Sequence, residues 1–288
     1  MATHLQTMKL CSTVAAMRAA CRAVRGQGKR LGFVPTMGAL HEGHLSLVRA
    51  AKARCDAVAV SIFVNPTQFG PKEDLAKYPR PFERDHELLE QEGVELLFAP
   101  PVEEMYPAGA VTYVTVEGLS EKLCGRSRPG HFRGVTTVVA KLFHIIEPDA
   151  AFFGQKDAAQ ATIIRRMVRD LNLPVEIVVC PIVREPDGLA MSSRNAYLDA
   201  QQRKSALVLS RSLKEVQNLF DRGERKASRL IEAGKQVFAQ EPSVRLDYFE
   251  IVDPDTLEAI SEVHGPALVA VAGFVGNTRL IDNIVLQG

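Results

Sequence analysis

Cysteine pairs are missing from this sequence, which argues against two small-protein architectures. The chain of 288 residues has five cysteines, an odd number, and no two of them form a Cys-x-x-Cys motif. Disulfide frameworks and zinc modules both depend on paired cysteines, so neither is expected, and a reducing cytoplasm fits best. Cys21 and Cys55 fall on apolar faces of predicted helices, where buried, unreactive thiols are the ordinary case.

The sequence also has no charge excess and no long apolar run. The formal net charge is +1, which provides no bulk attraction to nucleic acid or to an anionic membrane, so neither partner is expected. No apolar run approaches the roughly 18 residues of a membrane span, and the first residues lack the long apolar segment of a signal peptide. The apolar fraction of 46% suffices for one large or two modest domains.

The most informative stretch is Pro35-Thr-Met-Gly-Ala-Leu-His-Glu-Gly-His44. Apolar residues 31–34 precede it, a helical pattern of apolar residues follows it, and a second apolar run covers residues 57–64. This order predicts a strand, a Gly-containing turn, a helix and a strand, which together form a parallel βαβ unit. His41 and His44 would then lie one helical turn apart on the same face, at the start of the helix.

Two imidazoles at a helix start suit an anion. Backbone N–H groups at a helix N-terminus favour negative charge, and the histidines would add donors for a phosphate chain whose charge shifts during a reaction. A metal pair is one alternative, although zinc catalysis usually needs a third protein ligand and none is visible nearby. Surface histidines beside simple turn glycines are another, and this stretch alone does not decide among the three.

Polar residues follow two further segments. Residues 57–64 end in Asn65-Pro-Thr-Gln-Phe69, so two amides come just past the carboxyl end of a strand, where open parallel sheets bind ligands. The alternative is a plain loop closed by Pro66, with the amides as turn residues. Residues 126–134 carry three arginines and a histidine, and Arg128 could clamp a carboxylate or a phosphate.

A second strand-to-helix junction occurs at Gly154-Gln-Lys-Asp157. It lies between a predicted strand at 150–153 and a predicted helix at 158–171. Lys156 could meet a phosphate there as a point charge. Asp157 could cap the helix or hold a ribose hydroxyl, and Gln160 lies one turn further along the same face.

The polar segment Arg184-Glu-Pro-Asp-Gly-Leu-Ala-Met-Ser-Ser-Arg-Asn195 follows the last parallel-type strand, predicted at 175–183. Two hydroxyls and an arginine in series could close over phosphates, and the alternative is a hydrophilic linker. We interpret the segment as a boundary as well as a site. The prediction is an α/β chain with a Rossmann-like parallel-sheet domain at 1–184 and a smaller α+β domain at 185–288.

Several local expectations complete the prediction. Ser12 is expected to cap a first helix that ends near Gly26. The helix expected at 82–92 would leave Asp85 and His86 solvated, although Asp85 could instead touch a metal ion. Residues 112–116 are expected to be β-like. The remaining predicted helices are 135–145, 206–220 and 226–239, and the C-terminal β-like segments are 247–252, 267–271 and 280–286.

Five motifs taken together resemble the pantothenate synthetase (pantoate–β-alanine ligase) family, within the wider HxGH nucleotidyltransferase superfamily. They are Pro35-Thr-Met-Gly-Ala-Leu-His-Glu-Gly-His44, Phe63-Val-Asn-Pro-Thr-Gln-Phe69, Arg128-Pro-Gly-His-Phe-Arg-Gly-Val135, Phe153-Gly-Gln-Lys-Asp157 and Asp187-Gly-Leu-Ala-Met-Ser-Ser-Arg-Asn195. They follow the family's order and cover about residues 30–198. His-x-Gly-His alone would indicate only the superfamily, so the specificity comes from the ordered set.

The resemblance implies a fold, a reaction and an assembly. Residues 1–184 would bind ATP and pantoate, residues 185–288 would form a lid, and the enzyme would be a cytoplasmic homodimer. The implied reaction is the ATP- and Mg²⁺-dependent ligation of (R)-pantoate to β-alanine in coenzyme A (vitamin B5) biosynthesis. It would give pantothenate, AMP and diphosphate through an enzyme-bound pantoyl-adenylate. The resemblance names no protein ligand for Mg²⁺.

Site residues are implied in the same way. Those that would contact ATP are Met37, Gly38, Ala39, Leu40, His41, Glu42, Gly43, His44, Gly154, Gln155, Lys156, Asp157, Val183, Met191, Ser192, Ser193 and Arg194. Those that would bind pantoate and β-alanine are Gln68, Gln160, Asn65 and Arg128. His44 is the family's active-site acid, and we expect His41, Lys156 and Arg194 to act with it.

The chain departs from the family pattern at three positions. Cys124 stands where an acidic residue is usual, and Ala158 and Ala159 replace the usual Tyr-Gln, which leaves the packing around pantoate open. One alternative function is a nucleotidyltransferase of the same superfamily that acts on a different acceptor. The other is a non-catalytic nucleotide sensor, which the complete set of phosphate-binding side chains disfavours.

Overall fold

The structure is a computed structural model that describes residues 8–71 and 73–288. The chain divides into two compact units. The first comprises residues up to 120, 128–154 and 163–180, and the second comprises 121–127, 155–162 and 181–288. Residues 1–7, on which the expectation of no signal peptide partly depends, lie outside the described residues. Within the described ranges, no helix is both long enough and apolar enough to cross a membrane.

Strands and helices alternate through the first part of the chain and separate in the last part. The strands of the described residues are Lys9–Cys11 (β1), Leu31–Thr36 (β2), Ala57–Ile62 (β3), Leu96–Phe98 (β4), Ala150–Gly154 (β5), Glu176–Cys180 (β6), Val244–Val252 (β7), Ala267–Val275 (β8) and Thr278–Leu286 (β9). The α-helices are Val14–Arg25 (α1), Glu42–Lys52 (α2), Phe82–Gln91 (α3), Val102–Met105 (α4), Cys124–Ser127 (α5), His131–Ile146 (α6), Ala158–Asp170 (α7), Ala200–Ala206 (α8), Val208–Asp221 (α9) and Ala227–Ala239 (α10).

The first unit contains a six-stranded parallel sheet in the order β1-β4-β3-β2-β5-β6. Its central strands are apolar because both faces are covered, and every residue of β3 except Ile62 is buried. From β2 the chain steps outward through β3 and β4, and it later returns to the other side of β2 as β5. The order therefore reverses between β2 and β5, and their carboxyl ends are where such sheets bind ligands. The predicted Rossmann-like fold is confirmed.

Two predictions about individual residues were wrong. The cap of α1 is Thr13, not Ser12, because the Thr13 hydroxyl accepts the N–H of Ala16 at 3.2 Å. The end of α1 at Gly26 is confirmed. Asp85 on α3 is not solvated but only 1% exposed, because this helix packs its first turn against the turn that follows β2.

The segment 112–116 was predicted to be β-like but forms no strand within the described residues. Its backbone bonds to side chains of α6 instead of to a neighbouring strand. Val114 N–H donates to the Thr137 hydroxyl at 3.0 Å, and the Val114 carbonyl accepts from the Thr136 hydroxyl at 2.6 Å. Helix α6 starts at His131, earlier than predicted, after Gly130 in the left-handed region at φ 81°.

The second unit is an α+β structure, as predicted. Strands β7, β8 and β9 form an antiparallel sheet in sequence order, and the apolar faces of α9 and α10 supply its core. Leu213 and Val216 of α9 and Val269 and Val271 of β8 are all at most 1% exposed. Gly234 of α10 lies against the Phe249 ring, and a Cβ at this position would come within 2.3 Å of Cζ.

All five cysteines are free thiols, and Cys21 of α1 is fully buried. It is 0% exposed, and burial raises its pKa to about 12. Cys55, predicted on a helical face, instead follows the end of α2 and is only half-buried. Burial raises its pKa as well, but to a smaller extent.

We expect Cys21 to remain unmodified when the native protein is treated with a thiol reagent at pH 8. The thiolate is the reactive form, and a group with a pKa of about 12 stays protonated until far higher pH. Mass spectrometry of the labelled peptides measures this. Cys55 is the internal control and should be labelled first, whereas equal labelling of the two in folded protein would contradict the structure.

Candidate active site

The turn between β2 and α2 is held in an unusual backbone conformation. Gly38 has φ 80° and Ala39 has φ 51°, so two successive residues occupy the left-handed region. Glycine does so readily, but alanine does so only at a cost in free energy. The carboxylate of Asp85 offsets part of this cost by accepting the N–H groups of Ala39 at 2.7 Å and Leu40 at 2.8 Å.

His41 and His44 cap the start of α2 reciprocally. His41 is the N-cap, and its Nδ1 accepts the N–H of Gly43 at 3.2 Å. Nδ1 of His44 accepts the N–H of His41 at 3.3 Å. Each neutral ring then carries its proton on Nε2, because a ring nitrogen that accepts a hydrogen bond has no proton of its own. The ring centroids are 4.1 Å apart, so the two Nε2–H donors belong to one closely packed pair.

Asn65 and Gln68 follow β3 in a short 3₁₀ turn. Asn65 is 1% exposed and uses both ends of its amide. Its Nδ2 donates to Gln68 Oε1 at 3.0 Å and to the Gly134 carbonyl at 3.1 Å, while its Oδ1 accepts from the Tyr106 hydroxyl at 2.8 Å. Asn65 thus orients the amide of Gln68, whose Nε2 lies 3.1 Å from Met37 Sδ.

Arg128 already has a carboxylate partner inside the protein. Its Nε and Nη2 donate to Glu73 at 2.8 and 2.6 Å. Burial alone would raise the pKa of Glu73, but the Arg128 guanidinium brings that pKa below its ordinary value. Nη1 of Arg128 lies 3.1 Å from Nε2 of His131, and Nδ1 of His131 lies 2.9 Å from the Gln68 carbonyl. Arg128 and His131 therefore brace the main chain at Gln68.

The second unit positions Lys156 through the main chain. Residues Gln155–Asp157 form a 3₁₀ turn, and the buried side chain of Asn283 on β9 holds it. Asn283 Nδ2 donates to the carbonyls of Gln155 and Lys156 at 2.9 and 3.0 Å, and its Oδ1 accepts from Gln155 Nε2 at 3.0 Å. The ammonium group of Lys156 is not part of these bonds.

The segment after β6 is braced within the second unit, not merely a loose linker. Arg184 makes a two-bond ion pair with the buried Asp282, at 2.7 and 2.9 Å. Met191 N–H donates to the Val183 carbonyl at 3.0 Å. Ser192 caps the 3₁₀ turn Ser193–Tyr197 and accepts the N–H of Arg194 at 3.2 Å. The hydroxyls and the arginine singled out in the sequence thus start one ordered turn.

Sequence reasoning missed two of the residues that hold these features. Asp85 and Asn283 each bond to a turn that carries candidate site residues, but neither belongs to a motif named above. The spacing of apolar residues along a helix does not show that an acidic residue such as Asp85 is buried, and no local sequence signal marks Asn283. In the described residues, no three His, Cys, Asp or Glu side chains cluster as a metal site.

These features define a class of protein. A parallel sheet with a topological switch between β2 and β5, and a histidine pair at the helix start next to that switch, is typical of a nucleotide-binding enzyme of the α/β class. Residues 9–285 match the family model described as pantoate-beta-alanine ligase. The chain therefore belongs to the pantoate-β-alanine ligase family, and it is a ligase.

Close relatives and solved structures agree with this membership. The pantothenate synthetase of Koribacter versatilis (strain Ellin345) is 64% identical over 280 residues, which are 97% of this chain and 96% of that protein. A crystal structure of pantothenate synthetase from Thermus thermophilus has a TM-score of 0.92 at 49% identity, covering 96% of this chain and 99% of that one. The pantoate-beta-alanine ligase of Francisella tularensis, solved with beta-gamma ATP and beta-alanine, has a TM-score of 0.80 at 32% identity, with coverages of 97% and 98%.

Proposed function

We propose that this chain condenses (R)-pantoate with β-alanine, using ATP, to give pantothenate, AMP and diphosphate. The observation that carries the proposal is the reciprocal capping of His41 and His44 through Nδ1, which fixes two imidazole rings with their protons on Nε2 at a helix N-terminus beside the switch point of the sheet. An amide does not form readily from a carboxylate and an amine in water. The carboxylate must first be activated, and a phosphate-binding corner is suited to that step.

The activation is a displacement at the α-phosphorus of ATP. A carboxylate oxygen of pantoate forms a bond to that phosphorus, and the bond to the diphosphate oxygen breaks, which leaves pantoyl-adenylate and diphosphate. The amine of β-alanine then attacks the acyl carbon, the bond to AMP breaks, and the amine loses a proton. Positioning and charge neutralisation dominate both steps, and no covalent bond to the enzyme is needed.

Charge on the phosphates is met by donors from the two strand-to-helix junctions. His44 and His41 donate from Nε2 to phosphate oxygens, and Lys156 adds an ammonium charge. Ser192, Ser193 and Arg194 hold the departing diphosphate. The full set that we assign to ATP is Met37, Gly38, Ala39, Leu40, His41, Glu42, Gly43, His44, Gly154, Gln155, Lys156, Asp157, Val183, Met191, Ser192, Ser193 and Arg194.

Pantoate is assigned to the amides of Gln68 and Gln160, and β-alanine to the neighbourhood of Gln68. The hydrogen bonds of Asn65 support a role in orienting Gln68 for this task. Arg128 acts in the same direction, since its pairing with Glu73 and His131 steadies the main chain of the Gln68 turn. A direct bond from Arg128 to the substrate carboxylate would compete with Glu73.

Gly134→Ala is expected to lower kcat/KM for pantoate roughly 10- to 100-fold, because a displaced binding group is costly. A Cβ here would lie 2.4 Å from the Thr67 carbonyl oxygen and 2.6 Å from Gln68 N and Cα, so the turn must move. In an exposed helix interior the same change would instead stabilise by about 1 kcal/mol. Steady-state kinetics with pantoate varied measures the effect.

Gly265→Ala is the matched control for this variant, because a Cβ at Gly265 meets nothing within 4 Å. It should leave the kinetics unchanged. A Gly134→Ala enzyme with unchanged kcat/KM for pantoate would contradict the role given to the Gln68 turn.

Magnesium fits this site as an ion carried by ATP. We call the turn and helix start at residues 38–44, which carry His41 and His44, the histidine corner. Its donors are imidazole N–H groups, and both carboxylate oxygens of Asp85 accept backbone N–H groups. The hard oxygen ligands that Mg²⁺ prefers would come from phosphates and water. When bound, the ion would neutralise phosphate charge.

The remaining assignments concern domains, assembly and compartment. Residues 1–184 are assigned to ATP and pantoate binding and residues 185–288 to the lid. The extended segment around Val111 and Tyr113 supports a homodimer, because these apolar side chains are 81% and 48% exposed. Five free thiols support a reducing cytoplasm.

The test is release of AMP from ATP, with pantoate and β-alanine varied independently. The proposal expects AMP and pantothenate in equal amounts only when both acids are present. Transfer of AMP or CMP to a different acceptor would favour another nucleotidyltransferase of the superfamily. Binding of ATP with no AMP released in a single turnover would favour a nucleotide sensor.

A further inference from the structure

Two residues in the first turn of α3, Arg84 and Asp85, hydrogen-bond to the histidine corner. Neither residue belongs to the five motifs. Asp85 is 1% exposed, and its two oxygens accept the N–H groups of Ala39 and Leu40 at 2.7 and 2.8 Å. The fit is tight, since a Cβ on Gly38 would come within 3.0 Å of Asp85 Oδ2. Asp85 thus fixes both residues that follow Gly38 in the turn.

One peptide unit links this support to the catalytic pair. The carbonyl of Leu40 accepts from Arg84 Nη1 at 3.2 Å. The N–H of the same peptide belongs to His41 and donates to Nδ1 of His44 at 3.3 Å. A cationic donor on the carbonyl polarises a peptide and strengthens its N–H as a donor. The plane of this peptide therefore sets where the His44 ring receives its hydrogen bond.

We propose that Asp85, assisted by Arg84, is a positioning residue for His44. By fixing the turn, Asp85 aims the Leu40–His41 peptide N–H at Nδ1 of His44 and so keeps the imidazole proton on Nε2. The functional importance of that proton rests on the proposed function, in which Nε2 of His44 donates to the phosphates of ATP. The tautomer itself does not depend on any substrate.

The ionised form of Asp85 carries a cost in free energy in the folded protein. Burial raises its pKa above the ordinary value, and the two backbone N–H groups counteract this only in part. A carboxyl whose pKa is raised on folding contributes stability below its unfolded pKa, and this is lost as pH rises through the folded pKa. The ionised form is the one whose two oxygens can each accept a backbone N–H group.

Asp85→Asn is the central variant, because asparagine keeps the shape but offers a single oxygen and would direct an N–H₂ group at the second backbone N–H. Selective ¹⁵N labelling of histidine reports the tautomer by NMR, and His44→Gln identifies the His44 signals. In the unchanged protein we expect the Nε2–H tautomer for His44. In Asp85→Asn we expect a mixture with the Nδ1–H form and a roughly 10- to 100-fold lower kcat for adenylation, with KM for ATP changed much less.

Two control variants separate this role from charge and from folding. Glu83→Gln removes an acidic group from the same helix turn without touching the histidine corner, and it should leave tautomer and kcat unchanged. Leu89→Ala empties a fully buried site on the same helix, and it should lower the melting temperature while His44 keeps its tautomer.

Unchanged His44 resonances in Asp85→Asn would overturn the proposal, whether activity is kept or lost. If Asp85→Asn fails to fold, Arg84→Met replaces it, and it must shift the same resonances in the same direction. No shift in Arg84→Met would then overturn the proposal. Failure of the proposed function is distinguishable, since it would appear as no pantoate-dependent chemistry in the unchanged protein while the tautomer shift persists.

Discussion

His44→Gln is expected to lower the rate of adenylate formation by about 10²–10⁴-fold, the usual contribution of a positioned proton donor. The free energy of unfolding should change by less than about 1 kcal/mol, because glutamine at the third helical position is a common partner in a capping box. Its Oε1 can replace Nδ1 of His44 as acceptor of the His41 N–H. The variant therefore removes the Nε2–H donor of His44 and keeps the cap.

His41→Asn is the matched variant on the other ring. Asparagine is among the best N-cap residues, so it preserves the bond to the Gly43 N–H while it removes the ring that carries Nε2. Single-turnover formation of pantoyl-adenylate and thermal unfolding should be measured on both variants. Large losses of stability with modest losses of rate would show that the two histidines serve mainly as caps.

Lys156→Ala is expected to slow adenylation by roughly 10²–10³-fold, the range found when one preorganised charge-stabilising donor is removed. Its stability should be nearly unchanged. Asn283 holds this turn through the carbonyl oxygens of Gln155 and Lys156, and an alanine at position 156 retains both the carbonyl and the bond. Rapid-quench measurement of the adenylation rate, with melting temperature alongside, tests the two effects separately.

Lys156→Arg is the control for charge. It keeps the positive charge but replaces a compact ammonium group with a planar fork, so we expect a partial recovery of rate. In Lys156→Ala, a fall in melting temperature as large as that of Asn283→Ala, which removes the bonds to the turn, would instead assign Lys156 to the structure of the second unit.

Sequence patterns predicted the elements around both junctions because those patterns are local. An apolar run, a glycine turn and a helical repeat within about 30 residues define a βαβ unit without any distant contact. β2, α2 and β3 therefore appeared where the sequence placed them. The candidate site residues are motif-based for the same reason, and their individual roles stay predictions.

The parts that the sequence did not reveal depend on distant pairs. Asp85 bonds to backbone groups 45 and 46 residues earlier, and Asn283 to carbonyls 127 and 128 residues earlier. Nothing next to either residue marks such a partner, and an acidic side chain in a first helical turn is usually solvated. The prediction for 112–116 was wrong for a related reason. The segment has a β-like composition, but its backbone bonds to hydroxyls of α6 and has no neighbouring strand to pair with.

The most direct test of the account is isotope exchange between diphosphate and ATP. If the histidine corner drives activation of a carboxylate, exchange should require pantoate and should proceed without β-alanine. It should also fall in His44→Gln in proportion to the adenylation rate. Exchange that needs β-alanine, or that survives undiminished in His44→Gln, would contradict the claim that this corner forms an acyl-adenylate.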